Sequence, residues 1–477
     1  MKSAISTVDA KSLMYSNCRF DLIFKYLLCE AILGGSKSEI DFFQAVYLES
    51  IRAFNNFQEQ MPRKKCQDDF LNALYLLLEN MRKIGYEQTY VLPVSEGLEL
   101  QDGAHRVTVA ASLGLSVPVK VGGAANNYDY KTFIKNAMDP DWMDYGALRM
   151  LELNPRAYVV NLHSVVPLSK DIDVEKILNS NGFVFYKKNV SLSMNGYVNL
   201  KKLSYGVDSS EHAEPWVGDY NNGFAGARKH AAQSFFEGRP LRLYVYIADA
   251  VADLRQVKSE IRDLLGIGNI AVHINDSKSE ALALGQALLN ERSVDLLNLR
   301  PYDLNTEDLD SEIERLKCLC RTEGFDLSKF ALSGSGVLAA HGLRPARDCD
   351  LVHAEVLPDK FVAEGFSSHQ SQKDFYGHEF GAIVSDPKYH LYYRGVKFVS
   401  LLVIHTMKCN RNESPKDIRD LNAIDALCNG EKPKYKEAPL SEKSFIFGAL
   451  RKEKFASYRT IRIFGQKVFT YRIRARR

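Results

Sequence analysis

Hydrophobic residues return at helical spacing through most of the first 85 positions. Leu22, Ile23, Tyr26 and Leu27 mark one apolar stripe, and Phe42, Phe43, Val46, Tyr47, Ile51 and Phe54 mark a second, the recurrence that one face of a helix requires. Gly34-Gly35 stands between them and predicts a break. The run 68–84, DDFLNALYLLLENMRKI, begins acidic and ends with Arg82 and Lys83, a charge order that complements the helix dipole. Gly85 follows as a stop. The period then shortens. Residues 90–94 and 98–100 predict short strands about a Glu96-Gly97 turn, HRVTVAASLGL a helix, and 117–121 a closing strand before the loop residues Gly122-Gly123 and Asn126-Asn127.

Further along, 158–160 and 183–186 predict strands, and 208–226, rich in Gly, Ser, Asn and Asp, predicts a long loop. From 241 the pattern is regular: LRLYVYIAD as strand, VADLRQVKSEIRDLLGI as helix, NIAVHIND as strand, SKSEALALGQALLN as helix. Ser277 and Glu280 have the spacing of a capping box at the start of that last helix. Alternation of this kind implies a β-α-β layer. After a polar linker at 301–310 come a helix through Leu316, a strand at 330–333, a short helix at 336–341 and a strand at 349–352. The expected fold is therefore α/β and α+β, multidomain. The expected segments are a helical region at 1–67, an α+β domain at 68–150, an α/β middle domain at 151–302, a further α+β domain at 303–435 and a basic tail at 436–477.

Composition narrows the class. The chain has 477 residues, 45% hydrophobic and 25% charged, with a formal net charge of +3. These are values of an ordinary globular protein, not of a disordered chain, a collagen or a disulfide scaffold. A near-neutral balance disfavours binding nucleic acid over the whole surface. The eight cysteines form no C-x-x-C pair, and Cys318-Leu-Cys320 has no matching pair nearby, which disfavours zinc. No signal-peptide core and no apolar run long enough to span a bilayer is evident. A cytoplasmic, reducing compartment is the expectation.

Two constellations carry chemistry. The first is Asp102-Gly103-Ala104-His105-Arg106. Glycine at a strand-to-helix turn lets the backbone bend tightly, and the helix start that follows offers unpaired N–H groups and a positive dipole end. Arg106 adds a forked cation and His105 a titratable donor. The plainer alternative is that Asp102 only caps the helix. The element order from Asp69 to Val121, with Gly103-x-x-Arg106 after a short strand, resembles the ParB/sulfiredoxin-like fold, in which this turn binds nucleotide phosphates. The Asp-Gly-x-His-Arg form looks like the branch that includes free-serine kinases. That resemblance implies Asp102, with Glu59 as a second carboxylate, for proton transfer, and Gly103, His105 and Arg106 for phosphate.

The second constellation is Gly334-Ser335 followed by Arg344, Arg347, Asp348 and Asp350. Two aspartates at i and i+2 on a strand face one side, and paired hard carboxylates suit Mg²⁺ held against nucleotide phosphates. The run LSGSGVLAAHGLRPARDCDLV resembles the minimal nucleotidyltransferase fold of the DNA-polymerase-β superfamily. The later Lys408, Arg411, Lys416, Asp417 and Asp420 resemble the helix pair of that branch. The resemblance implies Asp348 and Asp350 as catalytic and metal-binding, and Gly334, Ser335, Arg344 and Lys408 as nucleotide-binding. It also calls for a third carboxylate on a later strand; HLYYRGVKFV supplies none, leaving Asp386 or Glu379 as substitutes.

Two weaker features remain. His273, Asn275 and Asp276 end a strand, where ligands gather in α/β layers, although a simple helix start at Asp276-Ser277 is sufficient to account for them and is the preferred reading. Lys187, Lys188, Trp216 and Lys229 are candidate neighbours. In 457–477, Arg459, Arg462, Lys467, Arg472, Arg474, Arg476 and Arg477 interleave with Ile461, Phe464, Val468 and Tyr471. Spacing of three and four predicts a basic amphipathic helix, suited to the inner face of a membrane.

The overall order is also similar to bacterial proteins of surface-polysaccharide gene clusters. The expected activity is phosphoryl or nucleotidyl transfer from ATP or another nucleotide, with Mg²⁺, to a hydroxyl of a small sugar-like acceptor. The alternatives are a nucleotide-binding regulator or toxin-type nucleotidyltransferase acting on RNA, and an inactive membrane-associated scaffold.

Overall fold

A computed structural model describes residues 5–60, 63–122, 128–206, 213–354, 356–413, 415–431, 441–445, 450–454, 458–463 and 466–472. The chain divides into two compact units, Met1–Ile404 and His405–Arg477. Each is a mixture of helices and strands.

In the first unit the two apolar stripes become the helices Asp21–Gly34 and Lys37–Asn55, broken at Gly34-Gly35 as their sequence predicts. Ser36 starts the second helix. Its hydroxyl accepts the Glu39 N–H while Glu39 accepts the Ser36 N–H at 2.8 Å, a capping box. Residues 1–67 are not wholly helical. The strand Ile5–Asp9 pairs antiparallel with Ser116–Val121, which pairs parallel with Leu92–Val94. Five residues are too few for a periodicity to declare itself, and their partner lies more than a hundred positions away. The chain leaves helix Lys37–Asn55 through Asn56, at φ 51°, into a small hairpin of Glu59–Gln60 and Arg63–Lys64. Glu59 therefore sits in a hairpin and not at a helix end.

The middle sheet runs in the order Gly182–Val190, Leu241–Ala248, Ala157–Leu162, Val272–Ile274. Every neighbouring pair is antiparallel. The strands Leu241–Ala248 and Val272–Ile274 do run the same way, joined through helix Leu254–Leu265, but Ala157–Leu162 lies between them. Leu241–Ala248 is buried from end to end. Even Arg242 is enclosed, with Nε on Asp171 and Nη groups on the carbonyls of Val166 and Pro240, as a buried guanidinium requires. Phe20, from the first helical layer, packs against Phe133 and Phe185, so this sheet and the N-terminal helices share a core.

The third sheet has the order Phe366–Ser368, Cys349–His353, Phe330–Leu332, Val396–Val399, His390–Tyr393. HLYYRGVKFV is two strands of a hairpin turning at Arg394 (φ 49°) and Gly395 (φ 79°). Two consecutive positive φ angles are what a tight two-residue hairpin demands.

In the second unit, helix Lys416–Cys428 is followed by an antiparallel meander of Ser441–Phe445, Leu450–Lys454, Tyr458–Ile463 and Gln466–Arg472. The amphipathic helix expected from 457 onward is not formed; its described residues are strands. The β-branched and aromatic content of Thr460, Ile461, Ile463, Val468, Phe469, Thr470 and Tyr471 favours a pleated surface and outweighs the three-and-four spacing. Phe464, Arg474, Arg476 and Arg477 lie outside the described residues. Among the described residues no helix is long and apolar enough to cross a membrane.

Candidate functional site

The segment around Asp102 turns sharply. Val94 bridges to Leu100, and the Gln101 N–H donates to the Pro93 carbonyl at 3.0 Å. Gly103 then takes φ 88°, where side chains are unwelcome. A Cβ there would also fall 2.4 Å from Leu92 Cδ2. Asp102 accepts the Gly103 N–H at 2.6 Å; it does not cap the helix. The cap position of Ala104–Ser112 is Gly103 itself, with no side-chain hydrogen bond. That helix start therefore keeps N–H donors and the positive end of its dipole for a ligand.

It faces a cavity of about 380 Å³. Glu59, Asp102, Gly103, His105 and Arg106 all line it. Two stretches of chain some forty residues apart are thus brought to one place. Arg19, Asp21, Lys25 and Lys64 line it too, and sequence reasoning missed them. Arg19 grips Asp21 with two bonds, 3.0 and 2.8 Å, while Lys25 holds the same carboxylate at 2.6 Å. All three side chains are buried. The two cations hold the Asp21 carboxyl well below its usual range despite its burial. Lys64 pairs with Glu59 at 2.5 Å. Arg106 lies over the Tyr90 ring, 4.8 Å from its centroid. The lining holds four cations (Arg19, Lys25, Lys64, Arg106) against three carboxylates (Asp21, Glu59, Asp102), an excess of one positive charge, favourable to an anion.

His105 meets Tyr47 Oη through Nε2 at 2.9 Å. Burial pushes its pKa well below the ordinary value, and the nearby Lys25 and Lys64 push the same way. It is a neutral imidazole at pH 7, able to accept or donate a hydrogen bond without adding charge. A signal for Arg19, Asp21 and Lys25 was present in the sequence. Asp21 and Lys25 stand at i and i+4 in the otherwise apolar run DLIFKYLL, and charges on a buried helix face need each other.

The second constellation also converges. Gly334 has φ 57°, and a Cβ on it would lie 2.5 Å from Asp350 Oδ2. The hydroxyl of Ser335 donates to Asp348 Oδ1 at 2.5 Å and accepts the Arg347 N–H at 3.1 Å. Both aspartates therefore flank one Gly-Ser turn at the end of strand Phe330–Leu332. Asp350 Oδ2 is engaged by His369 Nε2 at 3.0 Å, and His369 continues through Tyr376 to Ser333. Arg344 is buried, with Nη1 near the Pro345 carbonyl at 3.3 Å.

Among the described residues no third carboxylate joins them. Strand Val396–Val399 lies beside Phe330–Leu332 and offers Lys397. Its ammonium donates to the Ser328 and Val384 carbonyls, and burial pushes its pKa down to about 8. Asp386 accepts the Lys388 N–H at a helix end, and Glu379 pairs with Lys373. Among the described residues no group of three or more His, Cys, Asp or Glu side chains is arranged to hold a metal ion. Lys408, in the second unit, lies between Asp417 (3.2 Å) and Asp420 (2.6 Å), both fully buried, and Arg411 holds Asp417 at 2.7 Å.

Of the weaker features, Asp276 is exposed and pairs with Lys258, whereas His273 is buried and meets Glu280 Oε1 at 2.5 Å. Lys187 pairs with Asp171 and Glu175, and Lys188 with Asp144 and Glu291. Lys229 is exposed, and Trp216 packs on His230. The four do not form one site. The chain matches no protein-family model, no curated protein and no solved structure.

Proposed function

We propose that this chain transfers a phosphoryl group from a nucleoside triphosphate to a hydroxyl of a small, sugar-like acceptor, in the cavity beside Asp102–Arg106. One observation carries the reading: Glu59, Asp102, Gly103, His105 and Arg106 line a single cavity together with three further cations. Phosphoryl transfer asks little covalent chemistry of a protein; it asks for positioning and for charge aimed at the phosphate oxygens. The helix N-terminus at Gly103 and the guanidinium of Arg106 bind those oxygens. Lys25 and Lys64 stand behind them, each already steadied by a carboxylate. Asp102 is the exposed carboxylate of the lining and accepts the hydroxyl proton. Neutral His105 orients by hydrogen bonding. The sugar-like acceptor and a place in surface-polysaccharide assembly in a bacterial cytoplasm rest on the resemblances alone.

A second reading, nucleotidyl transfer at Gly334-Ser335, is favoured by the flanking of that turn by Asp348 and Asp350. The two carboxylates fit Mg²⁺ only where substrate phosphates complete the shell, since His369 engages one oxygen of Asp350 and a Mg²⁺ site of this kind uses one or two carboxylates. Asp348 and Asp350 would hold the ion, which would supply charge compensation on the phosphates.

Turnover of ATP by the purified chain in Mg²⁺, with sugars as acceptors, tests both readings. Arg106→Ala is expected to lower the rate by about 10²-fold or more, the usual consequence of losing one such donor. Unchanged turnover in Arg106→Ala, with loss in Asp348→Ala/Asp350→Ala, would move the chemistry to the second turn.

A further inference from the structure

The middle sheet carries a buried polar cluster that the proposed transfer does not use. Asn161 and His273 are direct cross-strand partners, so their side chains share a face, and His163, two residues beyond Asn161, points the same way. Helix Met194–Ser204 brings Lys201 against this face, where Nζ meets His163 Nε2 at 2.8 Å. Helix Ala225–Ser234 brings His230 and Ser234, one turn apart. Each of these six side chains is more than nine-tenths buried.

Polar groups enclosed this deeply are ordinarily paired. Here they are not. Both polar atoms of Asn161, Nδ1 of His163, both ring nitrogens of His230 and the hydroxyl of Ser234 have no hydrogen-bond partner among the described residues. Lys201 meets no carboxylate among the described residues, and the cluster's carboxylate, Glu280, is held by His273. Burial alone pulls Lys201 well below the usual lysine range, and Lys201, His273 and His230 together add to what burial does to His163. The unpaired groups include the Asn161 amide N–H, an imidazole N–H and the Ser234 hydroxyl, and they surround a lysine with no carboxylate partner among the described residues.

Aromatic rings connect the cluster to solvent. Tyr205 packs on both His230 and His273, with centroids at 5.7 and 5.4 Å. Trp216, 43% exposed, packs on Tyr205 and His230.

We propose that this cluster is a binding site for a small oxyanion, the phosphate or carboxylate group of a polar molecule, seated between Lys201, His163, Asn161, His230 and Ser234 behind the Tyr205–Trp216 pair. A tetrahedral or planar oxyanion supplies acceptors to the Asn161 amide, an imidazole N–H and the Ser234 hydroxyl, and its negative charge favours the protonated form of Lys201, so that the two meet in a charge-assisted bond. The site lies on different elements from the Asp102–Arg106 cavity and stands independently of it.

Trp216 is a built-in reporter, since the chain has only two tryptophans. In full-length protein carrying Trp142→Phe, emission is titrated separately with inorganic phosphate and with acetate at constant ionic strength. A saturable change with either anion is expected, and the one that saturates identifies the headgroup. Lys201→Met keeps the stem and removes the buried amine; it is expected to weaken that binding at least tenfold while the thermal midpoint stays level or rises. Should Lys201→Met fail to fold, His163→Gln is expected to show the same loss. Arg106→Ala is expected to leave the titration unchanged, which separates this site from the transfer cavity. No saturable response to either anion, or equal affinity in Lys201→Met and wild type, would overturn the proposal: water alone would then fill the cluster.

Discussion

Asp21 shows how a single carboxylate can organise a cavity wall. It is fully buried, and Arg19 and Lys25 both hold it. Removing one member of such a group leaves an uncompensated buried charge, which costs about 3–5 kcal/mol. Asp21→Asn is therefore expected to lower the unfolding free energy read from urea denaturation by an amount in that range, whereas a loss below about 1 kcal/mol would show that the cations find other partners. The sign with pH follows from the depressed carboxyl. The stabilisation is complete above the ordinary carboxylate pKa and is lost as pH falls below it. His105 acts in the same sense. Kept neutral in the fold, it must take a proton in acid, and that proton favours the unfolded chain. At this scale the sequence was legible where residue types announced their chemistry, as in Asp102-Gly103-x-His105-Arg106. It was silent on where Arg19 and Lys25 lie, since their position behind the turn depends on packing between segments some eighty residues apart.

At the scale of elements, the Ser277–Glu280 spacing held, since the Ser277 hydroxyl accepts the Glu280 N–H at the start of helix Lys278–Leu288. Ser36 and Glu39 cap helix Lys37–Asn55 reciprocally, and Glu39 also accepts Lys329 from the third sheet region. Ser36→Ala is expected to cost about 1 kcal/mol, readable as a shift in thermal midpoint; no shift would mean that Glu39 alone fixes the helix start. Strands were harder to read. Ile5–Asp9 exists because Ser116–Val121 offers it an edge, which no local window reveals. The tail carried two competing periods, and β-branched content prevailed. In the second unit, Asp417 ties helix Lys416–Cys428 to the preceding one through Lys408 and Arg411. Hydrogen bonds and charge from Arg411 and Lys408 outweigh its burial and hold its pKa down at about 2. That element is expected to lose stability as pH falls from about 4 towards 2. In Asp417→Asn this acid-dependent loss is expected to vanish. A persisting acid transition in the variant would place its origin in other carboxylates.

Across the molecule, residues Met1–Ile404 form one compact unit that holds the three larger sheets described above and the small hairpin of Glu59–Gln60 and Arg63–Lys64. The alternation of strands and helices along the sequence was plain, but the order of strands within each sheet was not. A β-α-β alternation is equally compatible with a parallel neighbour and with a strand inserted between, and the antiparallel Ala157–Leu162 takes the inserted place. The inserted strand is also what brings Asn161 opposite His273. The functional account rests on another part of this unit, where a glycine turn, a guanidinium and paired cations line one cavity.

The most direct test is calorimetric titration of the full-length chain with a non-hydrolysable ATP analogue, with wild type and Arg106→Ala side by side. Saturable binding in wild type and at least tenfold weaker binding in Arg106→Ala, about 1.4 kcal/mol or more, is the predicted result. Equal affinity in the two proteins would contradict a polyphosphate grip at this cavity.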